Sequence, residues 1–226
     1  MRNLWLTLLL GCASRGNVKQ ATIFVTGDSA FRWNHSSNRS AADVLEAQIG
    51  RPVYNAARTG DLMTKGPLCV LPGWCVSAQA TSIPQRYIAG NWQWVVVNGG
   101  INDLWKRCEC GDCQETLNQI EQSLTDFVLR RVEEGHRVMI WSYYNLPSGP
   151  FGADACNLAL QQLSERQRAL ARTSDKIFWV DGSQALDPSN HQHYFKDKVH
   201  PSVLGSRRIG EQLARAILAA ETAPKQ

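Results

Sequence analysis

The chain has 226 residues, 43% of them hydrophobic and 19% charged, with a net charge of +4. This is enough for one domain with a real core and short for two, and it excludes a fibrous or disordered chain. Lys and Arg are spread along the sequence, without the dense basic stripe that nucleic-acid binding uses, so nucleic acid is not an expected partner.

Met1-Arg2-Asn3 is a short positive start, and the apolar run Leu4-Trp5-Leu6-Thr7-Leu8-Leu9-Leu10 and the small residues Gly11, Ala13 and Ser14 follow it. That is the order of a secretory signal, expected over residues 1–13. Two cuts compete: after Ala13, or before Cys12, where Leu9-Leu10-Gly11-Cys12 is similar to a lipoprotein lipobox. Either makes the chain an exported, periplasmic or membrane-anchored protein, and the second attaches it to a membrane through a lipidated Cys12. No later segment is apolar over the roughly 20 residues that span a bilayer.

The domain itself is expected over residues 21–221. Residues 21–26 form a β-rich apolar run that ends at Gly27-Asp28, a buried strand. Residues 40–50 read as a helix with a Ser cap and a Gly stop. A brief strand is expected at 52–55 and the strongest one at 94–98, stopped by Gly99-Gly100. Leu117, Ile120, Leu124, Phe127 and Val128 recur at helical spacing within 114–134. A strand at 137–143, a helix at 157–171, a strand at 177–180 and a final amphipathic helix at 202–220 complete the chain. Strands alternating with helices predict one α/β domain with a parallel sheet covered on both faces.

Ligands of such sheets sit beyond the carboxyl ends of the strands, and the polar and Gly-rich residues fall there. Ser29 follows the first strand, Gly60 the second, and Asn102 lies two residues past the double glycine. His200 stands just before the last helix, three residues after Asp197. A nucleophilic serine needs a base, and the base needs an acceptor that holds its ring. Backbone N–H groups and an Asn amide can together stabilise an oxyanion. Taken singly, each of these residues is ordinary turn chemistry.

Together and in order, Gly27-Asp28-Ser29, Asn55 through Gly60, Gly100-Ile101-Asn102-Asp103 and Asp197-Lys198-Val199-His200-Pro201 resemble the motifs of the SGNH (GDSL-like) hydrolase family. The resemblance spans nearly the whole mature chain. It implies a three-layer α/β/α, flavodoxin-like fold with a five-stranded parallel sheet. It also implies Ser29 as nucleophile, His200 as general base and acid, and Asp197 as the residue orienting His200. The N–H groups of Ser29 and Gly60 and the side chain of Asn102 would form the oxyanion hole. No cofactor and no metal are implied. No Gly-x-Ser-x-Gly elbow surrounds Ser29, which argues against the α/β-hydrolase alternative. Ala30-Phe31-Arg32-Trp33 replaces the family's usual small apolar run after the serine.

The expected activity is hydrolysis of a carboxylic ester, with a small-molecule or carbohydrate ester as partner: small acyl, lipid or acetyl-carbohydrate. Acyl transfer to a sugar hydroxyl is the alternative on the same residues, and a noncatalytic cell-envelope binding protein is a third reading. Cys69, Cys75, Cys108, Cys110, Cys113 and Cys156 remain after Cys12, an even number that suits disulfides in an exported protein. Cys69 and Cys75 bracket a Pro-Gly turn, where a local bridge fits; the other pairings stay open. The cluster from Cys108 to Cys113 could instead hold zinc, but a closed site wants four ligands, so disulfides are favoured. Trp33, Trp74 and Trp105 are read as partly buried packing near the site loops, His191 and His193 as a solvated loop, and Arg58 as exposed.

Overall fold

The structure is a computed structural model that describes residues 20–65, 67–71, 74–79, 81–108 and 113–223, with the backbone alone at 67–71, 74–79 and 106–108. The signal-like start with Cys12 lies outside the described residues. In chain order the elements are β1 (Ile23–Thr26), α1 (Ser29–Arg32), α2 (Ala41–Ile49), β2 (Val53–Asn55), β3 (Pro67–Leu71), β4 (Trp74–Gln79), β5 (Trp94–Val97), α3 (Ile101–Cys108), α4 (Gln114–Glu133), β6 (Arg137–Trp141), α5 (Asn157–Ala171), β7 (Ile177–Val180) and α6 (Val203–Thr222).

The main sheet has five parallel strands in the order β2-β1-β5-β6-β7. Every residue of β1 and β5 is buried, which is possible only when both faces are covered. The helices accordingly form two groups: α2 packs on α6, and α4 packs on α3 and α5. Apolar positions at helical spacing turn inward: Leu117, Ile120, Leu124, Phe127 and Val128 of α4, and Ile209, Leu213 and Ile217 of α6. The α/β architecture and the five-stranded parallel sheet are those expected from the sequence.

Local chemistry sets the element ends. Ser40 caps α2 through a reciprocal pair: its Oγ accepts the Asp43 N–H, and the Asp43 carboxylate accepts the Ser40 N–H at 2.9 Å. Gly50 closes the same helix in a left-handed conformation. Ser202 caps α6 by accepting the Gly205 N–H at 3.1 Å.

Three features were not legible in the sequence. A helix of four residues starts at Ser29 itself, α3 follows Gly100 without a loop, and β3 and β4 form a separate antiparallel hairpin. Its register sets the backbones of Cys69 and Cys75 opposite each other. The side chains of Cys69, Cys75, Cys108 and Cys110 lie outside the described residues. Cys113 and Cys156 are buried and disulfide-bonded, so Cys113 is not a thiolate that could bind metal.

The sheet also explains where a ligand belongs. The chain leaves β1 toward β2 on one side, then returns to β5 on the other, so its direction reverses between β1 and β5. In open α/β sheets the crevice at the carboxyl ends of two such strands is the binding site.

Candidate active site

At the end of β1 the chain turns through Gly27, whose φ of +155° and contact with Asn98 both demand glycine. A Cβ there would lie 1.7 Å from Asn98 Oδ1. Across that glycine, the Asp28 N–H donates to Asn98 Oδ1 and Asn98 Nδ2 donates to Asp28 Oδ1, both at 3.2 Å. The ends of β1 and β5 are thereby locked together. Asp28 Oδ1 also caps α1 by accepting the Ala30 N–H at 2.9 Å.

Asp28 is fully buried, and among the described residues its Oδ2 has no hydrogen-bond partner. Burial pushes its carboxyl up to about 7, against the hydrogen bonds from Ala30 and Asn98, while the charges of Asp103 and Asp61 push it further. Ser29 follows as the first residue of α1. It is 8% exposed, largely buried just past the carboxyl end of β1. As the first helical residue it has an N–H without an intrahelical acceptor.

On the β5 side, Asn102 is the second residue of α3 and, like Ser29, is 8% exposed. Its Nδ2 donates to the Asp61 carbonyl at 2.9 Å, which fixes the amide and leaves its second hydrogen for another acceptor. Asp103, next in sequence and fully buried, accepts the N–H groups of Met63 at 2.7 Å and Thr64 at 3.0 Å and the Thr64 hydroxyl at 2.5 Å. Arg86 grips the Asp61 carboxylate with Nε at 2.8 Å and a second nitrogen at 3.2 Å. The loop that carries Gly60, whose φ is +84°, is therefore clamped to the first turn of α3.

On the third segment, His200 Nδ1 lies 2.7 Å from Asp197 Oδ2. Asp197 Oδ1 accepts the N–H groups of Val199 and His200, both at 2.9 Å. Burial raises the Asp197 carboxyl, but the His200 ring and those two N–H groups outweigh it and hold the group below its ordinary value. An ionised carboxylate only accepts. The bond to Asp197 therefore needs the proton on Nδ1, the tautomer of the neutral ring that leaves the lone pair on Nε2. The loop closes this tightly because Lys198 adopts a left-handed φ of +58°; the Tyr144 hydroxyl supports it by donating to the Val199 carbonyl at 2.7 Å.

Two contacts tie this loop to the helix bearing Ser29. Trp33 stacks flat on His200, with ring centroids 3.7 Å apart and planes within 5°. Asn34 Nδ2 donates to the Pro201 carbonyl at 3.2 Å and to Ser206 Oγ at 2.9 Å. The five residues expected from the sequence thus stand on segments that follow the carboxyl ends of the strands: Asp197 and His200 joined directly, Asn102 joined to the Gly60 loop. Among the described residues the Ser29 hydroxyl makes no hydrogen bond, so the Ser29–His200 link is not formed in this state.

A profile of the GDSL-like lipase/acylhydrolase family matches residues 25–208. The chain belongs to this family. As a GDSL-like lipase/acylhydrolase it is an ester-hydrolysing enzyme. Among solved structures it is similar to a carbohydrate acetylesterase family member from Sinorhizobium meliloti, with 17% identity and a TM-score of 0.65 over 88% of this chain and 98% of that one. A lipolytic GDSL-family protein from Veillonella parvula is 16% identical with a TM-score of 0.64, covering 87% and 97%. A carbohydrate esterase family 2 enzyme with a carbohydrate-binding domain, from Corynascus thermopiles (Myceliophthora fergusii), is 18% identical with a TM-score of 0.61, covering 90% and 67%. At these identities the likeness shows the fold alone. No curated protein matches the chain.

Several contributors were not found by sequence reasoning. In the sequence Asn98 is only the end of a strand, and Asp103 only the last residue of a motif. Trp33, expected to be partly buried packing, packs on the ring of His200. His193 was expected in a solvated loop. It is buried instead, because its Nδ1 accepts the Asp187 N–H at 3.0 Å. Arg58, expected to be exposed, is half-buried.

Proposed function

We propose that this enzyme is a serine esterase in which Ser29, His200 and Asp197 act as a catalytic triad through an acyl-enzyme. The observation that carries this reading is the Asp197–His200 pair, which leaves Nε2 as a base, on a loop bound to the Ser29 helix by Trp33 and Asn34. Ser29 Oγ attacks the ester carbonyl while His200 Nε2 takes its proton, and Asp197 stabilises the imidazolium. The oxyanion is received by the N–H groups of Ser29 and Gly60 and the second hydrogen of the Asn102 amide, each donor contributing on the order of 3 kcal/mol. Collapse breaks the carbonyl–alkoxy bond, the alcohol leaves with the proton from His200, and water deprotonated by His200 releases the acid.

We assign the substrate to esters of small acyl groups, with acetylated carbohydrate as the leading alcohol class. Likeness to a carbohydrate acetylesterase and to a carbohydrate esterase supports that choice. The signal-like start supports export, which the mass of the mature N-terminus in a secreting host would test. The decisive experiment is hydrolysis of p-nitrophenyl esters of rising acyl length beside Ser29→Ala. Ser29-dependent turnover that falls with acyl length supports the reading. A folded protein that hydrolyses none of them but acetylates an added sugar would overturn hydrolysis in favour of acyl transfer.

A further inference from the structure

Trp33 is four residues past the nucleophile, at the C-terminal cap of α1, where its N–H donates to the Ser29 carbonyl at 2.8 Å. Its indole lies parallel to the His200 imidazole, 3.7 Å centroid to centroid and 5° between planes. Phe195 packs edge-on against the same indole, with centroids 5.6 Å apart at 63°. The ring of His200 is therefore fixed in two independent ways: at its edge by Asp197 and across its face by Trp33. A hydrogen bond alone leaves a ring free to rock about its axis; a parallel plate removes that motion.

The plate also has an electrostatic consequence. An indole face is electron-rich and attracts a cation within about 6 Å of the ring centroid. The imidazole is neutral before it takes the serine proton and cationic afterwards, so the indole favours the state formed during catalysis over the resting one. An interaction that strengthens toward the transition state accelerates the reaction.

We propose that Trp33 is a positioning residue that aligns His200 and stabilises its imidazolium form. This inference rests on the triad reading above. The charged and titratable groups that the structure sets against this loop are Asp197 and Lys198 on the loop itself, Tyr194, whose backbone pairs with Pro201, and Tyr144, whose hydroxyl donates to the Val199 carbonyl. Lys198 Nζ turns away to the Ser148 carbonyl at 3.2 Å. Burial raises both tyrosines, which stay neutral. Asp197 and Trp33 remain as the groups in contact with the ring that favour its cationic form.

The test compares the full chain with Trp33→Phe and Trp33→Leu, and with fluorinated tryptophans placed at position 33 alone, using p-nitrophenyl acetate across pH 5–9. Fluorination empties the π face while nearly preserving its shape. We expect Trp33→Leu to lose about 10-fold in kcat with little change in KM. The acid limb of its pH profile should move to lower pH, Trp33→Phe should recover part of the loss, and kcat should fall with each added fluorine. Wild-type kcat and an unmoved limb in the Leu variant would overturn the proposal. So would a loss confined to KM, or fluorinated forms as active as the parent.

Ser29→Ala separates this from failure of the triad. If the parent has no Ser29-dependent activity, the functional reading fails. The ring-proton resonances of His200 still decide the contact: loss of indole shielding and protonation at lower pH in Trp33→Leu support it, and unchanged resonances overturn it.

Discussion

Asp28 and Asn98 exchange two hydrogen bonds, both 3.2 Å, across the point where the sheet reverses direction. The pair joins the strand that delivers Ser29 to the strand that delivers Asn102. Asn98 Nδ2 also lies 3.3 Å from the Tyr143 hydroxyl. Asn98→Ala should therefore destabilise the fold by about 2–3 kcal/mol, since it leaves the buried Asp28 N–H unpaired. It should also lower kcat, because the two halves of the site lose register. Urea unfolding and steady-state kinetics on one preparation measure both.

The Asp28 carboxyl gives the protein an unusual pH dependence. Burial raises it to about 7 from an ordinary value of 3.8. A carboxyl raised in the folded state binds more protons folded than unfolded between those two values. Its contribution is fully favourable below about pH 4 and is lost as the pH rises through 7. Asp28→Asn keeps an oxygen for the Ala30 N–H and removes the buried charge. The stability of the variant relative to the parent should therefore rise from pH 4 to pH 7 and then level. Denaturant midpoints that track each other across that range would contradict the assignment.

Asp197 works in the opposite direction. Its carboxyl is held below its ordinary value by His200 and two N–H groups, against burial. The stability it supplies is present above the ordinary carboxylate range and is lost as the pH falls through the lower folded value. Asp197→Asn retains an oxygen for the N–H groups of Val199 and His200 but cannot hold Nδ1–H as a carboxylate does. We expect roughly a 10³- to 10⁴-fold loss of kcat with the fold intact, read from initial rates and circular dichroism.

Asp103 is a structural clamp on the loop that carries Gly60. Asp103→Ala would orphan the N–H groups of Met63 and Thr64 inside the protein, at a cost of about 3 kcal/mol or more. Activity should fall further than that of Thr64→Val, which removes only the hydroxyl's bond to Asp103. Equal effects in the two variants would show that the backbone bonds to Asp103 do not hold the loop.

Much of this was legible in the sequence because burial and periodicity declare themselves. The apolar runs at β1 and β5, the spacing in α4 and the Ser40 cap each produced the expected element. Helix α1 was not legible, since four residues carry no periodicity and only the Asp28 side chain starts it. The β3–β4 hairpin was masked by its Pro and Gly residues, which read as a loop. At the site, motif order pointed to Ser29, Gly60, Asn102, Asp197 and His200 as residues. It pointed to the Asp197–His200 pairing but not to the bonds that hold the separate segments together. The Asp28–Asn98 exchange spans 70 positions and the Trp33–His200 stack joins opposite ends of the chain. Contacts of that range arise from the folded sheet and have no local signature.

The central claim is that Ser29 is a nucleophile activated by His200. Its most direct test is covalent labelling of the purified protein with a fluorophosphonate, followed by peptide mass spectrometry. A single adduct is expected on the peptide containing Ser29, absent from Ser29→Ala and formed far more slowly in His200→Ala. A folded, unlabelled protein, or an adduct on another residue that survives Ser29→Ala, would contradict it.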